Sequence, residues 1–496
     1  MGTVERIRTL AAVVLGTGLV LGAAAARAAD GNAPATAPAA VESKRAAVTA
    51  APAADPTEEA IQKIKHPVEW FSWGAEFRFR EEFMPNVLLN QEDRNVQRYR
   101  GRLWATVSPV KDVDLNIRLV TEPRHFSAPD RVARLGESRS IDEWTLAEVP
   151  FDRLNVQWRN VLGQPLTLTI GRQDFLNAAG VPVFGNGWLI WDGTPLDGSR
   201  TAFFDAVRGT YEAKAIQTTF DLIYICQQVD HDDRLPVFCY KDYPPMEQDE
   251  QGVIAWVTNK SLPHTQIDGY FIYKHDEAVL RSPTSPGVSA WSDGDNADLY
   301  TFGARLAGDL SENWRYNAQY AAQFGNKDGH AHCAQAFTGQ LAYFFNDRFN
   351  NNLRLGYEYL SGDRPGTGTD EQFDPLWGRW PQWSELLFYT MGLEHRTGEY
   401  TNYHRVNLGW SCNPCKNIEW KNDYNLLFRD QKVVVNPAAF DNGCLRGQLL
   451  SSVLKYKVND HVSTHLWGEV FFPGDFYSEA RNEVAAFLRF EIVFTW

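Results

Sequence analysis

The sequence predicts an all-β fold: a transmembrane antiparallel β-barrel of about 18 strands, with short periplasmic turns and long extracellular loops. Three observations predict it. Apolar and polar residues alternate with period two in segments of roughly 9–12 residues, the length that crosses a bilayer at a tilt of about 45°. Connections alternate between short and long, as the two sides of such a barrel require. Aromatic residues (29 Phe, 19 Tyr, 17 Trp) form 13% of the 496-residue chain, enough for girdles at both membrane edges. Alternation halves hydropathy, so a mean hydropathy of −0.38 fits a membrane protein of this type.

In chain order, Arg6 and Arg8 precede an apolar stretch over residues 10–26 and the small-residue site Ala26-Arg27-Ala28. This reads as a secretory signal peptide over residues 1–28. Residues 29–67 are rich in Ala, Pro, Thr and Glu and contain no aromatic residue, the composition of a mobile periplasmic tether. Residues 68–496 form the barrel. Within it, Val113, Leu115, Ile117 and Leu119 oppose Asp114, Asn116 and Arg118, and Trp314, Tyr316, Ala318, Tyr320, Ala322 and Phe324 oppose Arg315, Asn317, Gln319 and Gln323. Leu353, Leu355, Tyr357 and Tyr359 oppose Arg354 and Glu358, and the last strand sets Leu488, Phe490, Ile492, Phe494 and Trp496 against Arg489 and Glu491.

The short links are 107–112, 159–165, 211–215, 259–264, 308–313, 345–351, 411–416 and 457–460, and the long ones include 123–150, 173–203, 227–250, 276–297 and 362–400. Residues 384–394 read either as a strand or as part of the longest loop. An even strand number places both termini in the periplasm. The terminal Phe494-Thr495-Trp496 resembles the signal that hands such barrels to their assembly machinery.

Six cysteines occur, and in an exported chain Cys226 with Cys239, and Cys412 with Cys415, suit structural disulfides better than zinc or redox chemistry. His330 and His332 beside Cys333 read as flanking a loop. No metal site and no cofactor is expected. A net charge of −14 without a basic run excludes a nucleic-acid partner. The acids of 230–233 and 247–250, and Asp293, Asp295 and Asp298, read first as solvated extracellular loop charge and second as calcium ligands.

If the ring-bearing parity faces lipid, the other parity lines the lumen, and it is rich in arginine: Arg98, Arg100, Arg102, Arg118, Arg159, Arg208, Arg305, Arg315, Arg354, Arg405 and Arg489. On the lipid face each would cost about 2–4 kcal/mol at the midplane. Asp114, Glu122, Asp221, Glu358, Glu419, Glu469 and Glu491 share the lining, so an ordinary mixed-charge wall competes with a ladder of fixed cations that passes an anion.

The tract Gly171-Arg172-Gln173-Asp174-Phe175, followed by Phe204-Asp205-Ala206-Val207-Arg208, resembles the G-R-Q and F-D-x-V-R signature of the alginate-export family of outer-membrane barrels. Arg98-Tyr99-Arg100-Gly101-Arg102-Leu103 is similar to that family's second strand, and Trp377-Gly378-Arg379-Trp380 to one of its loop regions. The resemblance spans residues 70–496. It implies an 18-stranded monomer whose electropositive constriction passes a polyuronate, with Arg102, Arg172 and Arg208 as constriction arginines and Asp205 as an orienting acid. Arg172 shares its parity with Leu166, Leu168 and Ile170, so either a bulge re-aims it or it lies beyond the membrane edge.

The expected function is a passive outer-membrane channel for an anionic polysaccharide or oligosaccharide. Its expected partners are that solute, outer-membrane lipid, the barrel assembly machinery and a periplasmic export scaffold. The competing expectation is an outer-membrane enzyme or surface-binding barrel with a plugged lumen, although no G-x-S-x-G, H-E-x-x-H or phosphate-loop motif is present.

Overall fold

A computed structural model describes residues 56–496, apart from 129–131, 134–139, 142–143, 146–147, 178–179, 230–234, 236–244, 282–291, 295, 392–399 and 434–437. The expected signal peptide and most of the expected tether lie outside the described residues. The last part of that tether is helical, α1 (Pro56–Lys65).

Eighteen antiparallel strands close on themselves. They are β1 (Phe71–Met84), β2 (Arg94–Val110), β3 (Val113–Thr121), β4 (Phe151–Trp158), β5 (Leu166–Gln173), β6 (Phe204–Ala213), β7 (Thr218–Gln227), β8 (Glu250–Asn259) and β9 (Thr265–Asp276). The circuit continues with β10 (Ala297–Asp309), β11 (Trp314–Lys327), β12 (His330–Phe344), β13 (Asn352–Leu360), β14 (Tyr403–Cys415), β15 (Ile418–Arg429), β16 (Leu445–Lys457), β17 (Val462–Pro473) and β18 (Ala485–Thr495). β1 pairs with β18 from Glu76↔Thr495 to Phe83↔Leu488, which leaves the sheet without an edge. Every short link named above is a turn on one rim. No described helix is long and apolar enough to cross a membrane.

The outward parity behaves as the alternation predicts. Phe77, Leu103, Leu222, Phe302, Leu355 and Leu408 are exposed, and Trp158, Tyr211, Trp314, Tyr456 and Trp496 ring the short-turn rim. The inward parity holds a surprise. Phe184, Trp188, Phe204, Trp256, Phe373, Trp377, Phe476 and Phe487 are buried in one core inside the barrel, so the aromatics are divided between lipid and lumen.

That core forms where the loops between β5 and β6 (174–203) and between β13 and β14 (361–402) fold inward against β6–β10. Ile223, Ile225, Ile254, Trp256, Tyr270 and Ile272 supply the wall, and Trp256 stacks on Tyr270 at 4.4 Å. Gly252 admits Trp377, whose ring lies 2.3 Å from where a Cβ would be.

Other expectations are corrected. Of the two readings of residues 384–394 the loop holds: those described contain no strand and include a short helix, α2 (Leu386–Met391). Cys412 and Cys415 are free thiols, because the β14–β15 ladder holds them across a register shift; Cys239 lies outside the described residues. His330 and His332 are in β12, after a tight turn at Asp328 (φ 52) and Gly329 (φ 77), and His332 pairs with Asp370 at 3.0 Å. Glu250 is a buried wall acid, not loop charge, and Asp298 sits in β10, accepting from Tyr273 at 2.7 Å. Residues 230–233 are outside the described set.

Candidate functional site: an arginine-lined cavity inside the barrel

The first three strands bring arginines together by register. Arg78 lies directly opposite Arg100, Arg80 opposite Arg98 and Glu76 opposite Arg102, while Arg118 on β3 faces Trp104. Like charges placed opposite each other across a ladder repel. Carboxylates between them answer that repulsion: Glu76 accepts from Arg100 at 2.5 Å, Glu82 sits 3.2 Å from Arg98, and Asp152 accepts from Arg118 at 2.7 Å. Arg78 pairs with Glu122, and Arg80 with Glu491.

These six arginines line one side of a cavity of about 300 Å³. The other side comes from the two inward loops: Asp174, Trp191, Asp192 and Ser199 from 174–203, and Arg379, Trp380, Glu385, Phe388 and Tyr389 from 361–402. Seven guanidinium groups thus meet three carboxylates at its surface, because Glu76, Glu82, Glu122 and Asp152 stand behind the arginines. The buried Nε groups of Arg78 and Arg102 stand 3.7 Å from Glu491 and Asp152.

The loop tip Gly198-Ser199-Arg200 docks on the arginines. Ser199 O accepts from Arg78 and Arg100, both at 3.0 Å, its hydroxyl oxygen accepts from Arg98 at 2.8 Å, and Arg200 O accepts from Arg102 at 3.0 Å. Gly198 permits this approach, with φ 61 and ψ −125.

Two anchors hold the 361–402 loop. Glu469 on β17 accepts from the Ser384 hydroxyl at 2.7 Å and from the N–H groups of Glu385 and Leu386 at 3.1 and 3.0 Å, satisfying the start of α2. Arg489 bridges Glu385 at 2.7 Å and Glu82 at 2.5 Å. At the loop's other limb, Arg379 pairs with Glu250, and Trp377 donates to the same carboxylate at 2.9 Å. Burial opposes the charge of Asp374 there, but Lys327 at 3.2 Å and Lys274 hold its carboxyl well below the usual range.

Of the arginines the sequence singles out, Arg98, Arg100, Arg102 and Arg118 line the cavity, and Arg489 stands behind Glu385. Arg208, Arg305, Arg354 and Arg405 lie elsewhere on the wall, paired with Asp221 at 2.8 Å, Asp268 at 2.8 Å, Asp423 at 3.3 Å and Glu358 at 2.9 Å. Arg159 and Arg315 are half-exposed at the short-turn rim, paired with Asp114 and Asp309.

Arg172 and Asp205 do not reach the cavity. They face each other across β5 and β6 without a register shift, on the side of exposed Ile170 and Val207, at the loop end of the strands. Both guanidinium edges bond Asp205, at 2.9 and 2.8 Å, and Phe203 covers the group at 3.9 Å, which leaves Arg172 1% exposed. No bulge re-aims it in the β5–β6 ladder; the pair forms a clasp at the loop end of the two strands. Gly171 (φ 115) is required beside it, since a Cβ would stand 2.4 Å from Leu154 O.

The sequence reading meets Arg379 and Trp380 only through the family's loop motif, and omits Arg78, Arg80, Ser199, Trp191, Phe388 and Tyr389. Arg78 and Arg80 carry a signal, the alternation with Phe77 and Phe79; the loop residues carry none, because loops lack periodicity.

Residues 69–490 match the alginate-export family. No curated protein matches the chain in sequence. Among solved structures, Pseudomonas aeruginosa OccK2 (OpdF) in complex with glucuronate is 10% identical with a TM-score of 0.50, covering 86% of this chain and 98% of its own. Pseudomonas aeruginosa OpdK with vanillate is also 10% identical, at TM-score 0.51 over 86% and 98%. Acinetobacter baumannii OccAB3 is 9% identical, at 0.51 over 86% and 100%. The likeness to these barrels is one of fold. With the match over nearly the whole barrel, the chain belongs to the alginate-export family and is an outer-membrane channel of a Gram-negative-type bacterium.

Proposed function

We propose that this channel passes anionic saccharides by passive diffusion, selecting them with the arginines of β1–β3. The observation that carries the proposal is the excess of guanidinium over carboxylate on the cavity surface. Guanidinium stays charged and offers a bidentate fork to carboxylates, and rings of such cations make a pore anion-selective. The glucuronate and vanillate in complexes of barrels of the same fold support an acidic solute. Outer-membrane lipid, the assembly machinery that reads the C-terminal strand and a periplasmic export scaffold complete the proposed partners, and cleavage near Ala28 the proposed maturation.

Reversal potentials in planar bilayers test this reading. Anion preference in the wild type that falls in Arg102→Glu supports it; equal permeability to both ions leaves only a mixed-charge wall.

The plugged-barrel reading draws on one observation, the apolar core that fills the lumen beside β6–β10. A barrel that stays non-conducting after deletion of residues 362–400 would favour that reading.

A further inference from the structure

We propose that α1 is a membrane-lying collar: its Ala60 and Ile64 flank enters the glycerophospholipid of the periplasmic leaflet beside the barrel. The chain before Pro56 then departs along the membrane surface and not across the pore mouth. This holds whatever solute the channel passes.

Contacts at both ends place the helix. The Trp73 indole N–H donates to Ile64 O at 2.8 Å. Trp73 shares the outward parity of the exposed Phe77, so the last turn of α1 sits on the lipid side of β1. Near the other end Glu58 bonds His461, in the turn between β16 and β17, at 2.9 Å, and the second ring nitrogen of His461 lies 3.0 Å from Thr495 O of β18. α1 therefore crosses β18, from β1 to the foot of β17. Six residues from Glu58 to Ile64 rise about 9 Å, and two strand spacings come to about 10 Å. The helix matches that span, lying along the rim.

Turning by 100° per residue divides α1 into three sectors. Glu58, Ile61 and Lys65 share one side, and these are its half-buried residues, so this side meets the barrel. Ala60 and Ile64 form the flank next to it. Glu59 and Lys63 lie beyond, on the side away from the barrel, and are exposed. Ile64 is 50% exposed although the helix has a docking side in which to bury it.

A single exposed isoleucine is ordinary on a protein surface. Here it is followed by Val68 at 42% and Trp70 at 55%, and the same rim carries Trp496, which exchanges backbone hydrogen bonds with Ala75, two residues from Trp73. The apolar surface of the lipid face thus continues into the helix. Indole rings at this height mark the headgroup boundary, and Trp73 spends its N–H on the helix backbone there. Lys63, Lys65 and His66 stand at the end that rests on β1, where long cationic stems lie along apolar surface and reach lipid phosphate.

The experiment places one nitroxide at a time on the full chain, in a variant whose six cysteines are serine, in vesicles of phosphatidylethanolamine and phosphatidylglycerol. Collision with oxygen, which partitions into lipid, is compared with collision with a water-soluble nickel complex. At Ala60 oxygen is expected to exceed nickel, and at Glu59 and Lys63 the order reverses. In Ile64→Asp the Ala60 ratio shifts to the aqueous side, while heat-modifiable gel migration stays that of the folded barrel. Nickel exceeding oxygen at all three sites overturns the proposal, because the helix then lies in water. Low access of both reagents to Ala60 overturns it too, since protein then covers the flank. An oxygen preference kept in Ile64→Asp also overturns it, because the label and not the helix then seeks lipid.

Discussion

On β1–β3 six arginines share their carboxylates and line one cavity together, whereas Arg208, Arg305, Arg354 and Arg405 on β6–β14 each end on a carboxylate beside them. Arg305 and Asp268 are directly opposite across β9 and β10, and Arg405 and Glu358 across β13 and β14. There the two charges share one ladder position and neutralise each other. On β1 and β2 Arg78 and Arg80 have Arg100 and Arg98 as opposite partners, so beside Glu76 and Glu82 of β1 further acids come from β18, β4 and the loop after β3. The same two residue types therefore make a wall in one place and a cation-rich surface in the other. Cross-strand register makes the difference.

Four perturbations would break or sharpen this contrast. The largest effect is expected from deleting residues 362–400, which removes the loop that faces the arginines and supplies part of the lumen core. Single-channel conductance should rise by about an order of magnitude if pore narrowing there limits flow. An unchanged conductance would mean that the constriction lies elsewhere.

Next comes a charge exchange on each wall. Arg100→Glu/Arg102→Glu should convert anion preference toward cation preference, while Arg208→Gln, on the neutral wall, should leave the reversal potential nearly where it was. Equal shifts from both would erase the distinction between the walls.

Asp268→Ala inverts the comparison. It strands the buried Arg305, at a cost of about 3–5 kcal/mol read as a lower urea midpoint of unfolding, with ion selectivity unchanged.

The smallest effect concerns α1 at the short-turn rim, where Glu58 meets His461 at 2.9 Å. Hydrogen bonding to Gln62 and His461 lowers the Glu58 carboxyl, and Glu58 raises the His461 imidazole from its ordinary 6.5. The Glu58 part of the docking is present above the ordinary carboxylate range and is lost on acidification. The His461 part is complete below pH 6.5 and is lost as pH rises through its raised value. Protection of α1 from protease should accordingly be greatest near pH 5–6, and His461→Ala should flatten the profile.

Much of the barrel is legible in the alternation. Trp314–Phe324 and Leu353–Tyr359 show their outward residues directly, and the short links appear as turns because crossing a bilayer twice requires a reversal at each rim. The site is less legible. Parity identifies Arg98, Arg100, Arg102 and Arg118 as inward and would have added Arg78 and Arg80, but parity is silent on height along the barrel and on partners. It could not separate Arg102, which meets the cavity, from Arg354, which meets Asp423. The family motif points to Arg172 and Asp205, and these serve as a clasp under Phe203 at the loop end of β5 and β6.

The sequence by itself determined the strand number, the two rims and which face of each strand meets lipid. These follow from a local rule, period two, enforced at every step by the cost of polar groups in hydrocarbon. Which arginines pair singly along a wall and which gather at one cavity, and which rings pack as core and which line that cavity, is settled by tertiary contacts. Those outcomes depend on cross-strand register and on two loops folding back into the lumen, and both join residues far apart in the chain.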